Sequence, residues 1–364
     1  MERGFKKLNG IELVSVDVGY GYVKAISSSG KEVIFPSVVG SGRDRTMANF
    51  LKEDKEKLDL SELHIKLGER HYYVGEMALK NSLDGTRVFD KERYRHDYSM
   101  ILLNVAIQLV TEENTDEVIL FTGLPLGYYQ NQHEAFKEKI MEESLLIEWV
   151  GQNKLRKVNI KDAFVFPQGM SALWATFMNH EGRVIQKDIL REGNQIGIID
   201  IGFRTTDVCV VEMKEQGGFR VLFPYCETID QGVVNLHENI KIAYQNKTGG
   251  TDLSENKINR ILKRKSITYK GKKVDLSNEI DEALNNVSSS ITDRLNKLWK
   301  EESDTFDYIF VVGGGSMLFV DHLQESFDNR LKTIVSSQFA NAIGYHRIGK
   351  IMIEPSSDNR RKIG

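Results

Sequence analysis

Residues 14–24 read VSVDVGYGYVK, and residues 197–207 read GIIDIGFRTTD. Each stretch is an apolar run that ends in an aspartate, Asp17 or Asp200, with a glycine two positions later. Apolar runs on either side of a tight turn predict the two strands of a β-hairpin. The second stretch follows the first by about 180 positions, which indicates an internal repeat and therefore two related domains.

The composition excludes several classes of protein. The chain has 364 residues, of which 40% are apolar and 28% charged, and its net charge is −3. That charge argues against direct sequence-specific DNA binding, because phosphate contacts require a basic surplus. The two cysteines, Cys209 and Cys226, form no metal-type cluster and fit a reducing compartment. No signal peptide or membrane-spanning run is evident, so we expect a cytoplasmic protein.

The two hairpin turns carry residue types that suit a nucleotide phosphate and its metal ion. Glycines let a backbone approach an anion, and Lys24 can reach a phosphate. Asp17 and Asp200 can hold Mg²⁺ through water, which Mg²⁺ gives up reluctantly. The alternative is that the aspartates only stabilise turns and that the lysine is exposed. The candidate ligand-binding residues here are Asp17, Gly19, Tyr20, Gly21, Lys24, Gly202, Thr205, Thr206 and Asp207.

Two further motifs follow predicted strands. Residues 313–316, GGGS, come after the apolar run 308–312, where glycines permit close approach of a flat ligand or phosphate. Gln168 follows Pro167, which we predict to begin a helix through Asn179. A glutamine there can orient a water molecule for attack on a γ-phosphate. Taken alone, the glycine run is a weak signal that a strand-to-helix turn also explains, and Gln168 alone is better explained as an ordinary residue in the first turn of a helix.

Two segments predict long helices by their apolar spacing. Residues 98–113 place Leu102, Val105, Ala106, Leu109 and Val110 on one face. Residues 276–299 carry a continuous apolar stripe, which core packing explains fully.

Together these motifs resemble the actin, Hsp70 and sugar-kinase superfamily. Residues 17–24 and 200–207 resemble its two phosphate motifs, and residues 311–316 its adenosine motif. Residues 167–168 and 340–344 resemble its two connecting helices. Within the superfamily, residues 122–126, TGLPL, and 339–344, FANAIG, make the chain similar to plasmid-segregation actins of the ParM type and to archaeal relatives.

The resemblance implies an α/β, actin-like fold of two RNase H-like domains with mixed sheets flanked by helices. It implies a first domain at 1–180 with an inserted subdomain at 36–79, and a second at 181–364 with an insert at 236–304. These four subdomains would hold ATP, or GTP, with Mg²⁺ in a cleft between the domains.

The resemblance also implies roles for individual residues. Gln168 and Asp200 would be catalytic. Some ParM proteins carry a glutamate at the position of Gln168, whereas glutamine is the actin-like choice, so Gln168 would position water rather than act as a strong general base. Asp17 and Asp200 would bind the metal through water. The adenosine side would comprise Gly313, Gly314, Gly315, Ser316 and Lys257.

The implied function is a filament-forming ATPase that segregates plasmid DNA. Its partners would be further copies of itself and a DNA-bound adaptor protein, with no membrane. The alternatives are a small-molecule kinase of the same superfamily and a non-polymerising cytoskeletal adaptor. A basic stretch within residues 260–273 would contact a filament neighbour or an acidic partner, or would simply be a solvated surface.

Overall fold

The computed structural model describes residues 11–44, 59–87, 90, 92–150, 152, 154–215 and 218–353. Contacts divide the chain into two units. The first comprises Met1–Ile185 and Asn341–Arg360, and the second Gln186–Ala340 and Arg361–Gly364. The domain limits predicted from the sequence follow the internal repeat, whereas the contacts group Asn341–Arg360 with the first unit.

Strands and helices alternate along both units. The strands are β1 (Ile11–Val18), β2 (Tyr22–Ser27), β3 (Glu32–Pro36), β4 (Val39–Ser41), β5 (His64–Leu67), β6 (Arg70–Val74), β7 (Glu117–Leu124), β8 (Ile147–Trp149), β9 (Lys154–Arg156), β10 (Asn159–Pro167), β11 (Gln195–Ile201), β12 (Thr206–Met213), β13 (Phe219–Val221), β14 (Glu227–Ile229), β15 (Ser266–Tyr269), β16 (Lys272–Asp275), β17 (Tyr308–Val312) and β18 (Leu331–Thr333). The helices are α1 (Glu76–Asn81), α2 (Asp97–Val110), α3 (Leu126–Glu142), α4 (Ala172–Phe177), α5 (Val233–Thr248), α6 (Glu255–Arg264), α7 (Ser277–Trp299), α8 (Ser316–Gln324) and α9 (Ala340–Ile353).

The large sheets of the two units share one topology. In the first unit the strand order is β10-β7-β1-β2-β3, and in the second it is β18-β17-β11-β12-β13, with β14 also paired to β12. Each sheet has an antiparallel hairpin, β1–β2 or β11–β12, whose first strand pairs in parallel with a later strand. The repeat in the sequence is therefore a repeat of mixed sheets in the structure. Each unit also has a smaller sheet, β4-β6-β5-β8-β9 in the first and β15-β16 in the second.

The predicted hairpins are confirmed, and their registers are equivalent. Asp17 pairs with Lys24 across β1 and β2, and Asp200 pairs with Asp207 across β11 and β12. Residues that lie opposite each other in an antiparallel pair point to the same face of the sheet. Each aspartate therefore lies beside the seventh residue after it, on the same face.

Helix α2 passes through the core of the first unit. Eleven of its 14 residues are buried, including the polar Asn104 and Gln108. Asn104 accepts a hydrogen bond from the Leu145 amide at 2.9 Å, and Gln108 accepts one from the Trp149 indole at 2.9 Å. Burying an amide costs free energy unless its hydrogen bonds are made. These two side chains therefore fasten α2 to the segment that leads into β8.

Helix α7 confirms the predicted apolar stripe in the second unit. Ile280, Val287, Ile291 and Leu295 are buried in the core that α7 shares with β11, β17 and α8. Within the described part of the chain, no helix combines the length and the hydropathy needed to cross a bilayer.

Helix α9 packs tightly on the first unit. A Cβ added at Gly344 would lie 1.9 Å from the Ser171 carbonyl oxygen, so a glycine is needed for this approach. Two buried cations of α9 bind backbone carbonyls of the same unit: Arg347 Nη1 donates to Ala175 at 2.7 Å, and Lys350 Nζ donates to His180 at 2.6 Å.

The predicted helix start at Pro167 is wrong. Pro167 is the last residue of β10, and the Gln168 amide still donates to the Leu124 carbonyl of β7 at 2.7 Å. Gly169 then takes a left-handed conformation, with φ of +74°, which interrupts any helix. The helix α4 begins only at Ala172.

Candidate functional site

The first hairpin holds a buried cluster around Asp17. Lys24 Nζ lies 3.1 Å from Asp17 Oδ2, and Gln168 Nε2 donates to Asp17 Oδ1 at 2.9 Å. Each carboxylate oxygen thus has a donor, and Asp17 is only 3% exposed. The remaining amide oxygen of Gln168, Oε1, has no partner among the described residues and can accept a hydrogen bond from water. The structure brings Gln168 to the Asp17–Lys24 pair, which the sequence predicted as a separate motif.

The turn of this hairpin is held from one side. The Ser37 hydroxyl donates to the Gly19 carbonyl at 2.6 Å, and the Ser37 amide donates to the Gly21 carbonyl at 2.9 Å. Arg87 Nη1 donates to the carbonyls of Tyr20, at 3.1 Å, and of Gly21. In a planar trans peptide the N–H points away from the C=O. The amides of Tyr20 and Gly21 therefore face away from Ser37 and Arg87, as a backbone anion site requires.

The second hairpin has the same construction. The Gly202 amide donates to the Thr205 carbonyl at 2.8 Å, as the Gly19 amide does to Tyr22 at 3.1 Å. Amides at the start of α5, those of Val233 and Val234, donate to the carbonyls of Gly202 and Phe203 at 3.2 and 2.7 Å. The amides on the other side of these peptides face away from α5. In both turns the N–H groups thus point away from the residues that bind the carbonyls.

The two hairpins differ in charge. The first pairs Asp17 with a lysine, whereas the second pairs Asp200 with Asp207, and both of these carboxylates are buried. Like charges at opposing positions of a strand pair repel each other. Asp207 Oδ1 accepts a hydrogen bond from the Thr228 hydroxyl at 2.5 Å. The second hairpin therefore places two carboxyl groups side by side, and carboxylate oxygens are the ligands that a hard divalent cation prefers.

The glycine turn after β17 lies directly against Asp200. Gly313 has φ of +90°, and a Cβ there would lie 2.2 Å from Asp200 Oδ1. The Gly313 amide donates to the Ser337 carbonyl at 3.0 Å, and the Gly315 amide donates to the Ile201 carbonyl at 2.8 Å. Gly314 between them is exposed. The second unit thus joins the second phosphate-type turn and the glycine turn in one place.

Other predicted residues have different environments. The buried Thr205 hydroxyl has no partner among the described residues, whereas the Thr206 hydroxyl donates to the Gln231 carbonyl at 2.9 Å. Ser316 is fully buried, and its hydroxyl donates to the Gly313 carbonyl at 2.8 Å. Lys257 is exposed on α6. The Tyr20 side chain is buried, so that residue offers its backbone rather than its ring.

Three positioning residues escaped the sequence analysis. Ser37 and Arg87 hold the first turn, and Asn341 Oδ1 accepts a hydrogen bond from the Gly169 amide at 3.0 Å, next to Gln168. Asn341 lies in a motif that the sequence did single out, but nothing there indicates its partner. Gln168 also lines a pocket of the first unit with Val18, Leu124 and Phe136.

The residues present fit a metal ion that arrives with a nucleotide. Within the described residues, no three His, Cys, Asp or Glu side chains converge to hold an ion by themselves. Mg²⁺ in nucleotide sites keeps several waters and is held by phosphate oxygens with one or two carboxylates. Asp200, beside Asp207 and the glycine turn, is the carboxylate that would take this place.

Sequence comparison matches both units to known families. Residues 15–170 match the family described as actin-like proteins, N-terminal domain, and residues 198–325 match the archaeal actin homologue MreB-like, C-terminal family. The matched segments contain both hairpins and the glycine turn. The chain belongs to the actin-like ATPase family.

Relatives of this actin-like chain extend over nearly its whole length. An archaeal actin homolog of Thermoplasma volcanium is 24% identical over 349 residues, which cover 92% of this chain and 97% of the relative. The homolog of Thermoplasma acidophilum is 25% identical over the same length, with the same coverage.

Solved structures show the same actin-like fold. A subunit of a 15-stranded ParM filament from Clostridium botulinum superposes with a TM-score of 0.82 at 26% identity, and the match covers 93% of this chain and 99% of that one. The archaeal actin homolog Ta0583 in complex with ADP superposes with a TM-score of 0.74 at 22% identity, with the same coverage. The predicted actin-like fold and family are thereby confirmed.

Proposed function

We propose that this actin-like chain binds Mg²⁺–ATP through its two hairpins, hydrolyses it, and assembles with copies of itself into filaments. The observation that carries the proposal is the equivalence of the two turns. Each presents amides on one face because Ser37 and Arg87, or the start of α5, bind its carbonyls on the other. One such turn is common in proteins, whereas two, each beside a buried aspartate, suit a ligand with several phosphates.

Each unit contributes a different chemistry in this proposal. In the first, Lys24 offers a cation to a phosphate, and Asp17 holds both Lys24 and Gln168 in place. Because Asp17 takes the Gln168 Nε2 donor, the Oε1 acceptor remains to orient a water molecule for in-line attack. In the second unit, Asp200 would hold the metal through water. The bound metal would offset the negative charge of the phosphates.

Filament formation is supported by similarity to the Clostridium botulinum ParM, which forms a 15-stranded filament. ATP-dependent sedimentation and phosphate release, measured on one sample, test both activities together. Asp200→Asn removes the charge at nearly constant shape, and we expect phosphate release to fall about 100-fold, as when one transition-state contact is lost. The exposed Asp321 on α8 provides the control Asp321→Asn, which should behave as the parent does. Hydrolysis unchanged by Asp200→Asn, or no pelletable polymer with any nucleotide, would reject the assignment.

We also propose that the filaments move plasmid DNA through a DNA-bound adaptor protein. The support is the similarity to ParM over 93% of the chain. The measurement is the retention of an unstable plasmid that carries this gene with its neighbouring genes. Retention should drop to that of the empty plasmid with Asp200→Asn. Equal retention of plasmids that carry the wild-type gene and the Asp200→Asn gene would reject a role of the filaments in DNA segregation.

A further inference from the structure

The two cysteines of the chain lie side by side in the second unit. Cys209 is in the middle of β12 and fully buried. Cys226 lies between the 3₁₀ turn Phe223–Tyr225 and β14, and it is partly exposed. Their sulfur atoms are 4.0 Å apart. The chain has no other cysteine, so its whole thiol content is in this pair.

The strand register already brings the two backbones to disulfide distance. In the pairing of β12 with β14, Val208 lies opposite Glu227 and Asp207 opposite Thr228. Extended by one position, just outside β14, that ladder would place Cys209 opposite Cys226, which agrees with the 4.0 Å between their sulfur atoms. Opposing residues of an antiparallel pair have Cα atoms about 4.5 or 5.5 Å apart. Both values lie within the range of about 4.4–6.8 Å that disulfides span, so rotation of the side chains suffices to close the bond.

The two thiols differ in a way that suits stepwise oxidation. The Val210 amide donates to Cys226 Sγ at 3.3 Å. The contact between the two thiols lowers the pKa of Cys226, and the same contact together with burial raises the pKa of Cys209. The thiolate is the reactive form of cysteine. Cys226, the more exposed of the two, is therefore the one that meets an oxidant, with Cys209 behind it.

We propose that Cys209 and Cys226 form a reversible intrachain disulfide on exposure to hydrogen peroxide. The Cys226 thiolate attacks one peroxide oxygen and the O–O bond breaks, which leaves a sulfenic acid on Cys226 and releases hydroxide. Cys209 then loses its proton and attacks that sulfur, the S–S bond forms, and the S–O oxygen leaves as water. Two thiols supply two electrons, peroxide is reduced to two waters, and a dithiol reductant restores the thiols.

The disulfide would fasten β12 to the segment that enters β14, across the turn Phe223–Tyr225. Strand β12 begins with Thr206 and Asp207, and Asp207 is already linked to β14 by the Thr228 hydroxyl. Oxidation would therefore stiffen the strand pair that carries the second hairpin, and the melting temperature should rise by a few degrees. The inference does not depend on nucleotide hydrolysis, so failure of one proposal leaves the other standing.

A peptide map of the peroxide-treated native protein decides the matter. Lys214 and Arg220 lie between the cysteines, so trypsin separates them onto two peptides that only a disulfide would join. We expect the joined pair in the monomeric fraction, titratable thiols falling from two to none per chain, and both thiols returning with dithiothreitol. Two remaining thiols, or a disulfide between two chains, would overturn the proposal.

Two variants separate the steps. In Cys209→Ser, Cys226 should stop at a sulfenic acid that dimedone captures. In Cys226→Ser, the buried Cys209 thiol should survive the same treatment. If Cys226→Ser lost its thiol as fast as the wild type, the assignment of Cys226 as the first thiol oxidised would be wrong. The wild-type map is decisive even if Cys209→Ser fails to fold.

Discussion

Gly313→Ala tests the contact between the glycine turn and Asp200. Gly313 has φ of +90°, and its added Cβ would lie 2.2 Å from Asp200 Oδ1 and 2.5 Å from the Ile201 carbonyl oxygen. The Ile201 oxygen cannot move freely, because it accepts the Gly315 amide at 2.8 Å at the end of a sheet strand. The Asp200 side chain must therefore rotate away, and the turn must shift with it.

Gly250→Ala provides a matched control in the same unit. Gly250 has φ of +91°, and its added Cβ would meet nothing within 4 Å. A non-glycine residue in the left-handed region costs about 1–2 kcal/mol, and both variants bear that cost. Overpacking a tight site costs a further ~1–3 kcal/mol, and only Gly313→Ala bears that. We expect the Gly313 variant to lose about 2 kcal/mol more unfolding free energy than the Gly250 variant.

Urea unfolding of both variants gives the stability difference, and titration with a fluorescent ATP analogue gives the effect on the site. Gly250→Ala should bind as the parent does, whereas Gly313→Ala should bind at least ten-fold more weakly because the Asp200 carboxylate is displaced. Equal destabilisation by the two substitutions would refute the steric argument. Unchanged affinity in Gly313→Ala would refute the role given to Asp200.

Three further predictions concern single side chains. Gln168→Ala should lower phosphate release about 100-fold, with nucleotide affinity changed only a few-fold, since it removes the acceptor that orients water. Thr205→Val should weaken nucleotide binding at nearly constant melting temperature, whereas Thr206→Val should cost about 1 kcal/mol of stability, because the half-buried Gln231 carbonyl loses its donor. Burial, with nearby cations, lowers the pKa of His346 from 6.5 to about 3. Between these two pH values, His346 is protonated in the unfolded chain and neutral in the folded chain. The contribution of His346 to the free energy of unfolding is therefore highest above pH 6.5, and it decreases as the pH falls below that value because the unfolded state gains the proton. Between pH 7 and 5 the loss is about 2 kcal/mol. Urea unfolding at both pH values should show this loss in the control His322→Gln, at a half-buried site on α8, and not in His346→Leu.

The sequence was most informative where function depends on a short contiguous pattern. An aspartate at a strand end, with a glycine two positions later, indicates a strand, a turn and a returning strand together. Both hairpins were therefore predicted correctly, and the sequence repeat corresponds to two related sheets. The Asp17 and Lys24 pair also follows from register alone, because a two-strand hairpin with that turn sets them opposite each other.

The sequence was least informative where partners are distant along the chain. Arg87 binds carbonyls 66 and 67 positions earlier, and no local pattern distinguishes it from a surface arginine. The helix predicted to begin at Pro167 does not form there, although proline is common at the start of helices. The Gln168 amide still donates to the Leu124 carbonyl of β7, and the left-handed conformation of Gly169 prevents a helix from starting earlier.

The last described helix also misleads a reader of the sequence alone. His346, Arg347 and Lys350 suggest a solvated face, yet all three are buried in the structure. Arg347 and Lys350 are accommodated because backbone carbonyls of Ala175 and His180 receive their protons, partners that are about 170 positions away.

The path of the chain has a consequence for synthesis on the ribosome. The second unit is essentially one continuous segment, from Gln186 to Ala340, whereas the first needs α9 to cover it. We expect the second unit to fold as soon as its last strand has left the ribosome. The first unit cannot complete its core until Tyr345 of α9 has been synthesised, because Tyr345 packs against Leu13 and Phe121. A chain truncated after Ala340 should show rapid hydrogen exchange in β1 and β7 and slow exchange in β11 and β12. Equal protection of both sheets would mean that the earlier unit matures without its final helix.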